Sequence, residues 1–382
     1  MWRWMLILLL LAACQPSPPQ NDSGLTFATP APDATFNITA SPSITPAPLC
    51  DLQEAARIQD LLPEYIPTQG EFIQIQDNGF MLNGEPFPVY GINYYPRDYP
   101  YERFLVEMQV ASVEFEFNLM RDAGINMLRI FLRHADLFTC NGTVPRLDRF
   151  ARLDEFIYAA ATNGFKLILV LNADDTLPYG NSHSQYQVST LAQRYANEPG
   201  VFAYDLRQDG DIDALNSRTL TPQDVLSWLS EMAAIVHVAA PYQFVTAGWQ
   251  NNADQTADIV DFVSFQSFDA VESIRQEIAI LTAATDKPIL LASVGYSTFD
   301  YDELGQRQAY FRAFEAVEQN NLAGWVVWTG FDYPLPKLCP IEQPDCVIEP
   351  SSETRFGLWN TSYFPKRALD AVRLATGMDT SS

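Results

Sequence analysis

Pro199-Gly-Val-Phe-Ala-Tyr-Asp-Leu-Arg-Gln-Asp-Gly210 reads as a short apolar strand, residues 201–206, that ends in a polar burst, Arg207-Gln208-Asp209. A parallel barrel assembles its working site from polar groups delivered at the C-terminal ends of such strands. The stretch therefore predicts a strand buried on both faces, and it puts a carboxylate, Asp209, at the mouth of the sheet that the strand joins.

The same unit recurs on either side. Residues 72–76 and 80–82 flank Asp77-Asn-Gly79, a strong hairpin turn, and Asn83-Gly84 gives a second turn before an apolar strand at 87–94. Helix and strand then alternate. A helix at 101–122 stops at Gly124, and a strand at 125–132 follows. The helix 147–162 ends in Asn163-Gly164, the strand 165–171 is continuously apolar, and a helix at 185–197 leads into 201–206. Thr221-Pro222 opens a helix to 239 with proline at its first position. Strands at 244–247, 259–265 and 288–292 are separated by a short helical piece and by 271–284. A helix at 301–320, a strand at 323–328 and a helix at 365–376 close the chain.

Eight strand runs, apolar throughout rather than alternating, are expected where both faces of a sheet are covered. The repeat predicts an α/β fold, a (β/α)8 TIM barrel with an N-terminal β-hairpin cap across its bottom. An open doubly wound sheet is the alternative. It lacks its usual ligand site here, because no Gly-rich phosphate loop follows the first strand.

The 382 residues are 47% hydrophobic, enough for one large core or two ordinary ones, and carry a formal net charge of -24. Phosphate backbones repel such a surface, so no nucleic acid partner is expected. The acidity is spread along the chain and reads mostly as solubility.

At the N-terminus Arg3 precedes an apolar run, residues 5–11, and then Leu11-Ala-Ala-Cys14. The run is too short to span a bilayer and reads as a signal peptide over 1–13. Leu-Ala-Ala-Cys resembles the bacterial lipoprotein signal, which implies cleavage before Cys14 and lipidation of its thiol; a plain secretory signal is the alternative. Residues 14–48 are rich in Pro, Ser, Thr and Ala with almost no charge, an extended stalk that cannot bury enough to fold. The expectation is an exported chain, lipid-anchored on the extracytoplasmic face and touching the membrane through that anchor only, with the barrel in 49–382.

Export permits disulfides among Cys50, Cys140, Cys339 and Cys346. Cys339 with Cys346 is favoured because both lie in one loop, which leaves Cys50 with Cys140. A zinc site is the other reading of four cysteines, but no Cys-x-x-Cys pair or neighbouring histidine supports it, so no metal and no cofactor are expected. His237, in an apolar helical run, reads as a core histidine, and His134 and His183 as loop residues near a site, each alone weak evidence.

Several segments resemble clan A glycoside hydrolases, most closely glycoside hydrolase family 5, the cellulase and mannanase group. They are Phe80-Met-Leu-Asn-Gly-Glu-Pro-Phe-Pro-Val-Tyr-Gly-Ile-Asn-Tyr-Tyr95, Met120-Arg-Asp-Ala-Gly-Ile-Asn-Met-Leu-Arg-Ile130, and Tyr195-Ala-Asn-Glu-Pro-Gly-Val-Phe-Ala-Tyr-Asp-Leu206. Lys287-Pro-Ile-Leu-Leu291 with Gly295-Tyr296, and Gly324-Trp-Val-Val-Trp-Thr329, complete the set. The resemblance runs from 72 to about 376 and implies the fold, which alone does not establish a function.

That family ends its fourth strand in Asn-Glu-Pro, with the Glu as general acid/base; the matching residues here are Gln208, Asp209 and Gly210. Its seventh strand carries a nucleophilic Glu, and here that position is Ser293. Its sixth strand usually brings His-x-Tyr, replaced by Gln266-Ser-Phe268. The second-strand Arg and eighth-strand Trp are retained as Arg129 and Trp328. The resemblance thus implies that Asp209 and Ser293 occupy the catalytic positions in degenerate form, with Arg129, Gln208, Gln266, Phe268, Tyr296 and Trp328 as substrate-binding residues.

Retaining hydrolysis needs two carboxyl groups about 5–5.5 Å apart, one of which forms a covalent glycosyl intermediate. A serine without an activating base is neutral at pH 7 and cannot stabilise an oxocarbenium-like charge. Asp209 is one methylene shorter than Glu, a retraction that costs on the order of 10²-fold as general acid. The expected function is a surface-anchored barrel that binds a polysaccharide or oligosaccharide, a β-glycan, with the standard hydrolysis lost. An active hydrolase with Asp209 as acid and Asp174, Asp175 or another loop carboxylate as base for an inverting attack is the alternative; a structural or protein-interaction module is the third reading. Arg129, if it points into the barrel, needs a carboxylate or several acceptors, and Asp209 or Asp205 is expected to pair with it. With Asp209 as the partner, that residue would be a counter-ion and not an acid.

Overall fold

The strand runs assemble into one parallel ring in the computed structural model, which describes residues 57–58, 61–139, 143–173, 178–179 and 182–378. In chain order the barrel strands are Val89–Asn93, Met127–Phe131, Lys166–Val170, Val201–Asp205, Phe244–Thr246 with Gly248–Trp249, Val263–Ser267, Ile289–Val294 and Gly324–Val327. Neighbours in sequence are neighbours in the sheet, and the eighth strand pairs with the first, Gly324 opposite Val89. The fifth strand is split at Ala247. Its first piece pairs with the fourth strand and its second with the sixth, so the ring closes through this break.

Alternate residues of each strand face inwards, and the lumen changes character from bottom to top. At the bottom, Val89, Met127, Ile168, Ala203, Leu290 and Val326 pack with Ile73 and Phe80 of the N-terminal hairpin. The hairpin strands are Gln74–Gln76 and Gly79–Leu82. The Phe80 ring meets Phe202 and Phe262 edge-on at 4.9 and 5.2 Å. The predicted cap is in place, and it fills the lumen as side chains fill any small barrel. One layer up, the inward positions turn polar: Asn93, Arg129, Asp205, Thr246, Ser264 and Ser293 are all buried.

Outside the ring, helices such as Leu147–Thr162, Pro222–Ala239, Val271–Ala284 and Glu303–Gln319 bury one face each, which accounts for strands that are apolar on both sides. The expected helix at 101–122 is broken into Arg103–Glu107, a 3-10 turn Val110–Ser112 and Glu114–Asp122. Met108 and Gln109 take extended backbone between them, and the bend buries Met108, Val110 and Val113. Burial outweighs helix continuity where β-branched valines already weaken the helix. Three histidine readings are corrected: His237 is exposed and not a core residue, with its Nε2 2.9 Å from Asp261, and His134 and His183 stand in the helices His134–Leu137 and Ser182–Tyr195 and not in loops.

Cys339 and Cys346 form the expected disulfide, and Arg103 holds their loop by donating to the carbonyls of Lys337 and Cys339, each at 3.0 Å. Cys14, Cys50 and Cys140 lie outside the described residues, as do the signal and stalk segments. No helix among the described residues is long and apolar enough to cross a membrane.

Candidate active-site mouth

The polar layer is built around Arg129. Its Nη2 and Nε donate to Asp205 Oδ2 at 2.6 and 3.2 Å, its Nη1 to Asn93 Oδ1 at 2.7 Å, and its Nη2 also to Gln208 Oε1 at 3.3 Å. The guanidinium carbon lies 5.0 Å from the Phe131 ring centroid. Arg129 and Asp205 are 1% and 0% exposed, so each charge depends on the other. Glycine at 248 makes room for the pair: a Cβ there would lie 2.9 Å from both Arg129 Nη2 and Asp205 Oδ2. Its backbone N–H donates to Asp205 Oδ1 at 3.2 Å.

Asp205, not Asp209, is therefore the counter-ion, and Asp209 is free of that duty. Asp209 lies past the strand end, at a positive φ of 57° that aspartate tolerates better than most residues, and it opens the helix Gly210–Asn216. Its Oδ1 accepts from Gln266 Nε2 at 2.6 Å and from Gln250 Nε2 at 2.8 Å. Burial raises its carboxyl above the ordinary aspartate range, opposed by the Gln250 hydrogen bond and the charge of Arg129.

Ser293 is buried at the end of the seventh strand. Its Oγ accepts from Asn93 Nδ2 at 3.3 Å, and the same amide donates to the carbonyl of Ala292 at 3.0 Å. Among the described residues no carboxylate or imidazole forms a hydrogen bond with Ser293. Asp205, Arg129, Asn93 and Ser293 thus form one hydrogen-bonded row that satisfies itself beneath the mouth.

Trp328 is half-buried, with its ring edge-on to Phe131 at 5.7 Å, and Phe268 is 42% exposed at the end of the sixth strand. Tyr296 is only 2% exposed and packs edge-on against Tyr301 and Tyr310, at 5.9 and 5.1 Å. Its hydroxyl has no partner among the described residues, and burial pushes its pKa up. Asp174 and Asp175 lie outside the described residues. The literal Asn197-Glu198-Pro199 stands before the fourth strand, at the opposite end of the barrel. There Glu198 accepts from Tyr65, from the Thr68 backbone and hydroxyl, and from the Gly200 backbone, tying residues 65–68 to the bottom.

Two cavities flank the mouth. One, of about 380 Å³, lies among Tyr95, Tyr101, Glu102, Arg133, Lys337 and Cys339. The other, of about 270 Å³, lies between Gln250, Asn251, Gln266, Phe268 and the helix residues Gln276 and Glu277. Sequence reasoning missed Asn93, Gln250, Asn251 and Glu277. Gly248-Trp-Gln-Asn-Asn252 is a polar burst after an apolar strand, the same signal that singled out Arg207-Gln208-Asp209, and it would have found two of them.

No protein-family model and no curated protein matches this sequence. Solved structures do. A GH5_18 structure from Streptomyces cattleya in complex with Manβ1-4GlcNAc is 17% identical, with a TM-score of 0.65 over 78% of this chain and 82% of that one. The endo-1,4-β-mannanase from Rhizomucor miehei is 20% identical, with a TM-score of 0.59 over 80% and 98%. An exo-β-1,4-mannosidase from Opitutaceae bacterium strain TAV5 is 16% identical, with a TM-score of 0.66 over 80% and 62%. At these identities the likeness establishes the fold alone, a (β/α)8 TIM barrel.

Proposed function

We propose that this chain is a glycosidase-like barrel that binds a β-glycan and no longer performs two-carboxylate hydrolysis, held at a membrane surface by lipidated Cys14. The observation that carries the reading is Ser293: a buried neutral hydroxyl, held by the Asn93 amide, where that chemistry requires a carboxylate. Its neighbour Arg129 supports the reading as well. The guanidinium is neutralised from within by Asp205, so the barrel keeps its buried cation without a nucleophile carboxylate. The similar structures, an endo-1,4-β-mannanase, an exo-β-1,4-mannosidase and a complex with Manβ1-4GlcNAc, support the choice of a β-glycan. The membrane anchor rests on Leu11-Ala-Ala-Cys14 alone.

A second reading, an inverting hydrolase with Asp209 as general acid, has one observation in its favour: burial raises Asp209. Against it, the amide groups of Gln250 and Gln266 both donate to Asp209, which favours the ionised form that cannot donate a proton.

One experiment separates the two. The purified chain is incubated with 4-nitrophenyl β-mannoside, 4-nitrophenyl β-glucoside and β-1,4-mannotetraose, and mannotetraose binding is measured by calorimetry. The expected result is heat of binding with release of 4-nitrophenol and shorter sugars no faster than in buffer. Turnover that disappears in Asp209→Asn would establish the hydrolase reading instead. Absence of both binding and turnover would leave a structural module.

A further inference from the structure

The smaller cavity is a built pocket, displaced from the barrel axis to the rim beside the fifth and sixth strands. Its near wall is the loop after Trp249, fixed because the Asp211 carboxylate accepts from the backbone N–H groups of Gln250 and Asn251 at 3.3 and 2.8 Å. Its floor is Gln266, its far wall the helix Val271–Ala284, and its rim the exposed ring of Phe268.

Asp209 sets the polarity of this pocket. An ionised carboxylate only accepts hydrogen bonds, so the amide groups of Gln250 and Gln266 must turn their NH2 ends towards it. Both do, at 2.8 and 2.6 Å, and Gln266 spends its amide further on the carbonyl of Gly248 at 2.5 Å. Neither glutamine carbonyl takes a hydrogen bond from a described residue. The lining also holds Glu277, whose Oε1 is buried without a partner among the described residues. Burial raises this carboxyl, and Asp254 and Asp211 raise it further. An unsatisfied buried acceptor is costly until a donor reaches it.

Gln250, Gln266 and Glu277 all line this cavity, and a lining so rich in acceptor groups suits a ligand rich in hydroxyl donors. The Phe268 face, 42% exposed, offers stacking for an apolar sugar face. The cavity is about 270 Å³. Ligand pockets run from roughly 300 to 1,000 Å³, so this one takes a single ring better than a chain. The carboxylates around it reject an anionic sugar. We infer that the pocket formed by Gln250, Gln266, Phe268 and Glu277 is the glycan-binding site of this chain, that it grips one neutral sugar ring of a β-glycan, and that Asp209 is its positioning residue. This rests on the glycan-binding reading and relocates it: the old catalytic position Asp209 now orients the two acceptors instead of delivering a proton.

The test is calorimetric titration of the full chain with β-1,4-mannotetraose, cellotetraose and trigalacturonate. One of the two neutral probes is expected to bind and trigalacturonate is not. Loss of an aromatic stack or of a hydrogen-bonding acceptor is each expected to weaken binding about tenfold, in Phe268→Ala and in Glu277→Ala respectively. Phe311→Ala removes an exposed ring on the helix Glu303–Gln319, away from the pocket, and is expected to leave affinity within about twofold of the parent. Phe268 is exposed, so its variant is expected to melt with the parent, which keeps the readout one of binding. Binding that survives both pocket variants but disappears in Trp328→Ala would place the sugar at the barrel centre and overturn this inference while the glycan-binding reading stood. Binding of neither neutral probe would overturn both.

Discussion

Asp205→Ala is expected to lower the unfolding free energy by about 3–5 kcal/mol, the usual result of removing one partner of a buried ion pair. The pair is sealed: Arg129 and Asp205 are 1% and 0% exposed, and their closest contact is 2.6 Å. Truncation leaves the guanidinium with Asn93 Oδ1 and Gln208 Oε1 as acceptors but no opposite charge, and it also orphans the Gly248 N–H. The double variant Arg129→Met with Asp205→Leu removes both charges and is expected to recover most of the loss, since apolar replacement of a buried pair is often neutral. Urea denaturation at pH 7 measures all three chains. A single variant within about 0.5 kcal/mol of the parent, the ordinary range of surface changes, would show that water or a rearranged loop solvates Arg129.

The second large effect is a pH dependence carried by Glu116. This residue, on the helix Glu114–Asp122, is buried and accepts from Tyr94 Oη at 2.6 Å and Tyr363 Oη at 2.9 Å. Burial lifts its pKa from 4.5 to about 7, only partly opposed by those hydroxyls and by the backbone N–H of Arg97. Between these values the folded chain holds a proton that the unfolded chain has released. Its contribution is complete below pH 4.5 and is lost as pH rises through 7. At about 1.4 kcal/mol per unit, the loss attributable to Glu116 is about 3 kcal/mol. Glu116→Gln is expected to flatten the stability profile from pH 5 to pH 8 by about 2–3 kcal/mol relative to the parent. Because His237 and the other shifted carboxyls titrate in both chains, the difference between the two profiles isolates Glu116. Parallel profiles would show that Glu116 ionises normally.

Much of the barrel was legible in residue order. A strand buried on both faces is a continuous apolar run, and the helices at 147–162 and 271–284 lie where their apolar periodicity puts them. Two of the local readings that failed did so for the same reason. Continuous helix propensity at 101–122 gave way to the burial of Met108, and the apolar surroundings of His237 in sequence say nothing of which face of its helix meets the barrel. The candidate site was legible only as a set of strand ends. Asp205 and Asp209 are four residues apart, and both are plausible partners for Arg129 on paper. The choice falls to Asp205 because it still belongs to the strand and points inward, whereas the chain has already turned over at Asp209.

By itself, then, the sequence determined the strand–helix repeat, the hairpin cap and the Cys339–Cys346 bridge, because each depends on the identity of near neighbours. Only the tertiary structure decided which carboxylate neutralises Arg129 and which acceptors converge beside Asp209. Gln250, Gln266 and Glu277 come from three separate segments, and they share a pocket only after the ring has closed through the broken fifth strand. Contacts of that kind depend on the register and curvature of the whole sheet, which no local pattern of residues encodes.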